Sequence, residues 1–384
     1  MIVTKRVAAA AVGIGLSCAG AHAQGFLGGQ TGLDPKFCEQ PSVRQTVVYV
    51  DDMFMQDGQT EWASKLFDKL KGTLVPGERV TVVELSPADG QSREAWTGCW
   101  PDYPSAEREK LGKSYSFFSK DPLKALGDQQ GFFGSGFGGA LSEIYDKHHQ
   151  PRTSIDPSSP PTKSIIGALS SDGARYAQTK VTIRAIVYSD LAENSELASI
   201  FKPPPQMPVN FGKKLGTYLR SSVFYAFGLD GDVAGGQDVK EATRALWTGV
   251  LGTMSATIGG LGSDLTVPNA LPMTARDYSI DLKEGDQPLS GRLSLLADAD
   301  GGLVDSWIGI TRLSTAALSG TMLCQADGSG TCTINAITSR GILSDSASEA
   351  LTLRGDGSKP LSGLIGVKGS NVMFPLTATL NPAR

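Results

Sequence analysis

The chain has 384 residues, 35 Lys+Arg against 39 Asp+Glu, 40% hydrophobic residues and 46 glycines. Its length suggests two domains, or one large domain with an appendage, and the apolar content argues against wholesale disorder. A formal charge of −4 excludes a nucleic-acid binder that relies on global positive charge, and glycines without a period exclude a collagen-like chain.

Residues 1–23 open with Lys5 and Arg6, continue through an apolar stretch from Val7 to Gly20, and end in Ala21-His22-Ala23. A basic start, an apolar run too short to span a bilayer and a small-x-small ending predict a signal peptide cut before Gln24. Cleavage would leave 361 residues and a formal charge of −6, because Lys5 and Arg6 are lost. Gly15 stands where a lipoprotein box needs a large aliphatic residue, so Cys18 is expected to leave with the signal. No other stretch has the length of a membrane span, and a periplasmic or secreted protein without a transmembrane anchor is expected.

Export changes the reading of the four remaining cysteines, since an oxidising compartment favours disulfides. Cys324 and Cys332 flank a turn-like Ala-Asp-Gly-Ser-Gly between two strand-like runs, where a hairpin can bring them face to face. Of the three formal pairings, that proximity favours Cys324–Cys332 and leaves Cys38–Cys99. A cysteine-based zinc site lacks any CxxC pair, and only His148 and His149 could assist.

After an N-terminal segment over 24–44, residues 45–267 alternate strand-like and helical patterns. Thr46–Val50 is a continuous apolar run ending in Asp51-Asp52, and a helix follows with Trp62, Leu66, Phe67 and Leu70 at helical spacing. Arg79–Leu85 is a second strand. Ile165, Ile166, Leu169 and Tyr176 mark another helix, leading to a strand that ends at Asp190. Ser221–Leu229 is a fourth strand and Val239–Leu251 a closing helix. Apolar strands separated by helices predict a mainly parallel open sheet flanked by helices, of the Rossmann type. Residues 268–384 carry about eight short β-prone runs separated by turn signals, predicting an antiparallel β-sandwich or barrel, with one doubtful helical stretch around Ser344–Ala350. The proline-rich segments Pro157–Pro161 and Pro203–Pro208 read as loops inside the first domain.

In open α/β sheets, function gathers at the carboxyl ends of strands, and two apolar strands end in acid, at Asp51/Asp52 and at Asp190. The order strand-Asp, helix, strand, Thr-x-x-Ile helix, strand-Ser-Asp resembles a von Willebrand factor A (vWA) domain. The resemblance covers about half the chain and implies a metal-ion-dependent adhesion site. Asp51, Thr162 and Asp190 match its first acid, its threonine and its last acid, and the ion implied is Mg²⁺ or Ca²⁺. Met53 and Met55 stand where that family has serines, and a thioether is a poor ligand for a hard cation. The plainer reading of the three residues is that the acids cap helices or hold loop amides at strand ends.

The remaining motifs are weaker. Gly134-Ser-Gly-Phe-Gly-Gly139 satisfies GxGxxG but follows no convincing strand, so a surface loop before a helix ending at His148 and His149 is expected rather than a dinucleotide site. The two vicinal histidines lack a GxSxG partner, point to different sides of a helix, and fit the negative end of its dipole. Asp298, Asp300 and Asp305 read as a hairpin turn rather than a calcium loop, and Asp230-Gly-Asp232 shares that ambiguity. These features point to an exported protein-binding module, for adhesion or envelope interaction, with a degenerate or absent metal site. The alternatives are a metal-dependent hydrolase using Asp51, Asp52 and Asp190, or a structural envelope component.

Overall fold

The computed structural model describes residues 32–114, 121–151, 158–179, 181–202, 216, 218–229, 236–284, 287–311, 313–325, 331–343, 347–356 and 359–381. The signal segment 1–23, Pro203–Pro208 and Asp230-Gly-Asp232 lie outside them.

The first sheet has the order β3-β2-β1-β4-β5-β6. Its strands are β1 (Arg44–Asp51), β2 (Arg79–Ser86), β3 (Gln91–Cys99), β4 (Thr182–Tyr188), β5 (Ser222–Phe227) and β6 (Thr257–Leu261). Every neighbouring pair is parallel except β2 and β3, which form an antiparallel edge. The expected sheet is therefore present with two more strands than the apolar runs revealed. β3 is largely polar and half exposed, and β6 carries two glycines, so neither reads as a buried run.

Side chains alternate across this sheet, and each face has its own core. Val47, Tyr49, Ile183, Ala185 and Phe224 pack on one side against α4 (Ile165–Ser171), α5 (Gly173–Gln178) and α6 (Gly236–Thr253). Val48, Val50, Val80, Val82 and Ile186 pack on the other against α1 (Glu61–Lys71) and α3 (Pro122–His148). The short α2 (Ser105–Ser114) precedes α3. In α1 the buried residues Trp62, Leu66 and Leu70 recur every four positions, while Glu61 and Lys69/Lys71 sit at the ends that the helix dipole favours for their charges.

The glycine fingerprint belongs to the middle of α3, not to a surface loop. Asp121 caps this 27-residue helix by accepting from the Leu123 and Lys124 N–H groups, and Pro122 suits the first helical position. Glycine is a poor helix former, but here two of the glycines are notches for aromatic rings. A Cβ on Gly134 would meet Phe67 at 3.0 Å, and one on Gly136 would meet the Trp96 indole at 2.5 Å. Gly136→Ala should therefore destabilise by about 1–3 kcal/mol through overpacking. Gly138→Ala, with nothing within 4 Å of its Cβ, should stabilise by up to about 1 kcal/mol. Urea unfolding of the two variants checks the pair; equal effects would refute the notch reading.

The second half is a closed antiparallel barrel of order β10-β11-β12-β13-β14-β7-β8-β9. The strands are β7 (Thr274–Glu284), β8 (Gln287–Ala297), β9 (Ser306–Ile310), β10 (Thr315–Cys324), β11 (Thr331–Thr338), β12 (Glu349–Asp356), β13 (Leu361–Val367) and β14 (Met373–Leu380). Closure removes free edges, and Ile280, Leu293, Ile308, Ile334, Leu353 and Ile365 fill the interior. Glu349 and Ala350 begin β12 and not a helix, and residues 344–346 of that doubtful stretch lie outside the described residues. Cys324 pairs with Cys332 across the β10–β11 hairpin, and Cys38 with Cys99 ties the N-terminal turn to the end of β3. Closing a loop of 61 residues removes about 4 kcal/mol of unfolded-chain entropy in the chain-entropy account. Among the described residues, no helix is long and apolar enough to cross a membrane.

Barrel and sheet meet through a buried charge network. The Arg44 guanidinium donates to both Glu78 oxygens at 3.0 and 2.9 Å and to Asp305 Oδ2 at 2.5 Å. Arg184 donates to Glu78 and to the Thr46 and Thr73 hydroxyls, and the Tyr225 hydroxyl donates to Asp305 Oδ1 at 2.6 Å. All four charged side chains are buried. Asp305 thus leaves the Asp298/Asp300 turn, where Asp298 Oδ1 accepts from the Asp300 and Gly302 N–H groups as a hairpin would require.

Candidate functional site

Strand order reverses between β1 and β4, so the crevice expected of an open α/β sheet lies at their carboxyl ends. Asp51 ends β1, and Asp190 follows β4 by two residues. The structure brings these two acids together and fills the point between them with an ammonium group. Lys163 Nζ lies 2.7 Å from Asp51 Oδ2 and 2.7 Å from Asp190 Oδ1. It also lies 5.9 Å from the Phe54 ring centroid, within cation–π range.

Lys163 is held by its backbone as well as by its charge. Its N–H donates to the Asn194 carbonyl at 2.9 Å and its carbonyl accepts from the Asn194 N–H at 2.8 Å, pinning the loop before α4 to the loop after β4. That bridge turns Lys163 inward and leaves the preceding Thr162 exposed. The acids are satisfied locally too. The Met53 N–H donates to Asp51 Oδ1, the Ser189 hydroxyl to Asp51 Oδ2, and the Ala192 N–H to Asp190 Oδ1. Leu191, between them, has φ +56°, a left-handed conformation that costs about 1–2 kcal/mol in a residue with a Cβ.

Burial pushes the Asp51 carboxyl up, Lys163 opposes this, and Asp190 adds to it. Burial alone would lower the Lys163 ammonium, yet Asp190 and Asp51 raise it on balance, so it stays charged. With these groups in place the donor set does not fit a hard divalent ion. The interstitial point holds a cation already, the threonine hydroxyl is on an exposed residue, and methionines stand at the serine positions.

Outward from the trio lies a cavity of about 240 Å³, lined by Asp52, Met53, Met55, His148, Lys163 and Asp190 among others. Phe54 lines it too, and behind that ring lies an aromatic cluster. Tyr188 stacks on Trp62 at 4.1 Å and lies 4.9 Å from Phe54 and 5.0 Å from Phe227. Asp52 accepts from Ser86 at 2.7 Å. His148 ends α3, as expected, and its Nε2 is 2.9 Å from Glu84 Oε1, while the neighbouring His149 turns to Asp57.

Glu193 is a further buried acid that the sequence did not single out. It accepts from the Ile166 N–H at the start of α4 and from the Ser195 hydroxyl. Burial raises its carboxyl to about 7, against the pull of those hydrogen bonds and of Lys163. Between the unfolded value of 4.5 and about 7 the folded chain binds the extra proton, so its contribution is complete below 4.5 and is lost as pH rises through 7. The difference caps that loss at about 3 kcal/mol. Glu193→Gln should flatten the fall in stability between pH 4.5 and 8 by part of that amount. Parallel pH profiles of variant and parent in urea unfolding would rule this out.

No protein-family model matches the chain, and no curated protein matches it. Among solved structures it is similar to the ArnB paralog VWA2 from Sulfolobus acidocaldarius, at 11% identity and a TM-score of 0.32, over 82% of this chain and 66% of that one. The chain thus spans just under two thirds of that protein's length. Its own topology, with parallel strands in the order β2-β1-β4-β5-β6, Asp51 ending β1 and Asp190 two residues beyond β4, is that of an open, mainly parallel α/β sheet joined to a closed antiparallel barrel.

Proposed function

We propose that the chain is an exported protein-binding module whose vWA-like face works without Mg²⁺ or Ca²⁺, with Lys163 supplying the positive charge that a divalent ion gives an adhesion site. The observation that carries this reading is the equal 2.7 Å approach of Lys163 Nζ to Asp51 and Asp190. A fixed ammonium holds the strand-end loops in one arrangement, as an ion would, and needs no metal from the surroundings. The two disulfides fit an oxidising compartment. The cavity beside the trio, with an exposed Met53 on its rim and the Phe54 ring in its lining, offers a partner apolar contact next to buried charge.

The hydrolase alternative required Asp51 and Asp190 to converge. They do, but on Lys163, and the geometry offers no open position for a catalytic ion between them. The binding reading is tested by photo-crosslinking from the cavity rim, comparing the parent with Met53→Lys and Asp190→Ala. Partner capture should fall in both variants and be the same with or without added Mg²⁺ or Ca²⁺. Capture that persists in both variants, or that needs either ion, would overturn it.

A further inference from the structure

We infer that Asp52, Glu84 and His148 form a binding site for a borderline transition-metal ion, Zn²⁺ being the probe of choice, separate from the Asp51/Asp190 pair that Lys163 neutralises. One ligand atom from each of the three residues lies within 4.8 Å of the other two. The residues come from three elements, the turn after β1, strand β2 and the last turn of α3, so their convergence is a product of the tertiary fold and not of a local run of acids.

The donor set selects the ion. One imidazole with two carboxylates suits zinc and its first-row neighbours, whereas Mg²⁺ and Ca²⁺ prefer oxygen alone. In a tetrahedral site with bonds near 2.0–2.2 Å, neighbouring ligand atoms stand about 3.3 Å apart. Here His148 Nε2 is 2.9 Å from Glu84 Oε1, and one ligand atom from each of the three residues lies within 4.8 Å of the others, so closing round an ion takes a contraction of at most about 1.5 Å towards that spacing. The supporting contacts are in place. Arg93 holds Glu84 Oε2 and leaves Oε1 turned to the imidazole, and Ser86 orients Asp52 by donating to Oδ2. Two carboxylates against one guanidinium leave the cluster a net negative charge while His148 is neutral, which favours a cation. Asp52 and Glu84 are buried while His148 is partly exposed at a helix end, so the imidazole can make the final adjustment. Asp52 and His148 also line the 240 Å³ cavity, which leaves room for a fourth ligand on the open side.

The test is calorimetric titration of the full chain with ZnCl₂ in metal-free buffer at neutral pH. The parent should bind one equivalent, His148→Ala and Glu84→Gln should each weaken binding at least tenfold, and His149→Ala should bind like the parent. Far-UV circular dichroism confirms that each variant is folded, and the exposure of His148 makes its alanine variant tolerable. Absence of binding by the parent overturns the site. So does unchanged affinity in folded His148→Ala, or an equal loss in His149→Ala, which would assign the zinc to the surface histidine pair.

Discussion

Asp305→Ala is expected to lower the unfolding free energy by about 3–5 kcal/mol, the range found when one partner of a buried ion pair is removed. The loss comes from what remains. Arg44 would keep Glu78 but lose its 2.5 Å contact on the barrel side, and the Tyr225 hydroxyl would lose its acceptor in a buried site. The network holds two guanidiniums against two carboxylates; deleting Asp305 leaves Arg44 and Arg184 sharing Glu78 alone. Burial and Arg44 already push the Arg184 guanidinium down to about 10, with Glu78 and Asp305 opposing them. Removing Asp305 takes away part of that support. Asp305→Asn, which retains an acceptor but not the charge, should cost about 1–3 kcal/mol. Because Asp305 precedes β9 and Arg44 opens β1, the same substitution should loosen the barrel from the sheet, raising hydrogen exchange along β9 beyond that along β1. Urea unfolding measures the first effect. A loss under about 1 kcal/mol in Asp305→Ala would mean that the network is solvated and adds little.

The sequence and the structure agree where the signal was a continuous apolar run or a cysteine spacing. Val47–Val50 and Ile183–Val187 read as strands because both faces of each are covered by helices. They fail to agree where one side chain breaks its local rule. Arg44 and Arg184 at strand positions, and Glu78 just before β2, are charged residues that the pattern assigns to solvent, yet they face each other under the barrel. The docking of the barrel makes those positions interior, and Asp305, 261 positions from Arg44, is invisible to a local window. The site was half legible for a related reason. Asp51 and Asp190 follow from strand ends, a feature of chain order. Which of Thr162 and Lys163 turns inward depends on the backbone bridge to Asn194, a pairing between two loops with no periodic signature. The glycines of α3 misled because GxGxxG and a helix notched for Trp96 and Phe67 share the same residues, and only the packing distinguishes them.

Replacing Lys163 should convert the site from one that ignores divalent ions to one that responds to them. Lys163→Ala removes the only cation between Asp51 and Asp190 among the described contacts, leaving two carboxylates to share a buried site. The expected cost is about 3–5 kcal/mol at neutral pH. It should shrink as pH falls, because two crowded carboxylates without a cation take up a proton. The vacated point has the geometry of an ion site. Each carboxylate oxygen lies 2.7 Å from the position of Nζ, and Ca²⁺ bonds to oxygen run 2.3–2.6 Å, so a contraction of a few tenths of an ångström suffices. Mg²⁺ demands 2.0–2.1 Å and strict octahedral geometry, a larger movement for strand ends fixed by Ser189 and by the Met53 and Ala192 amides. Ca²⁺ should therefore raise the Tm of Lys163→Ala, recovering about 2.7 kcal/mol at a concentration 100 times its Kd, with Mg²⁺ weaker and the parent unmoved by either ion. Thermal unfolding of both proteins with each ion decides the matter. A parent stabilised as strongly as the variant would show that Lys163 yields to a divalent ion, and the metal-independent face would have to be abandoned. A variant that loses no stability and gains none from Ca²⁺ would show that the two acids are paired by something other than Lys163.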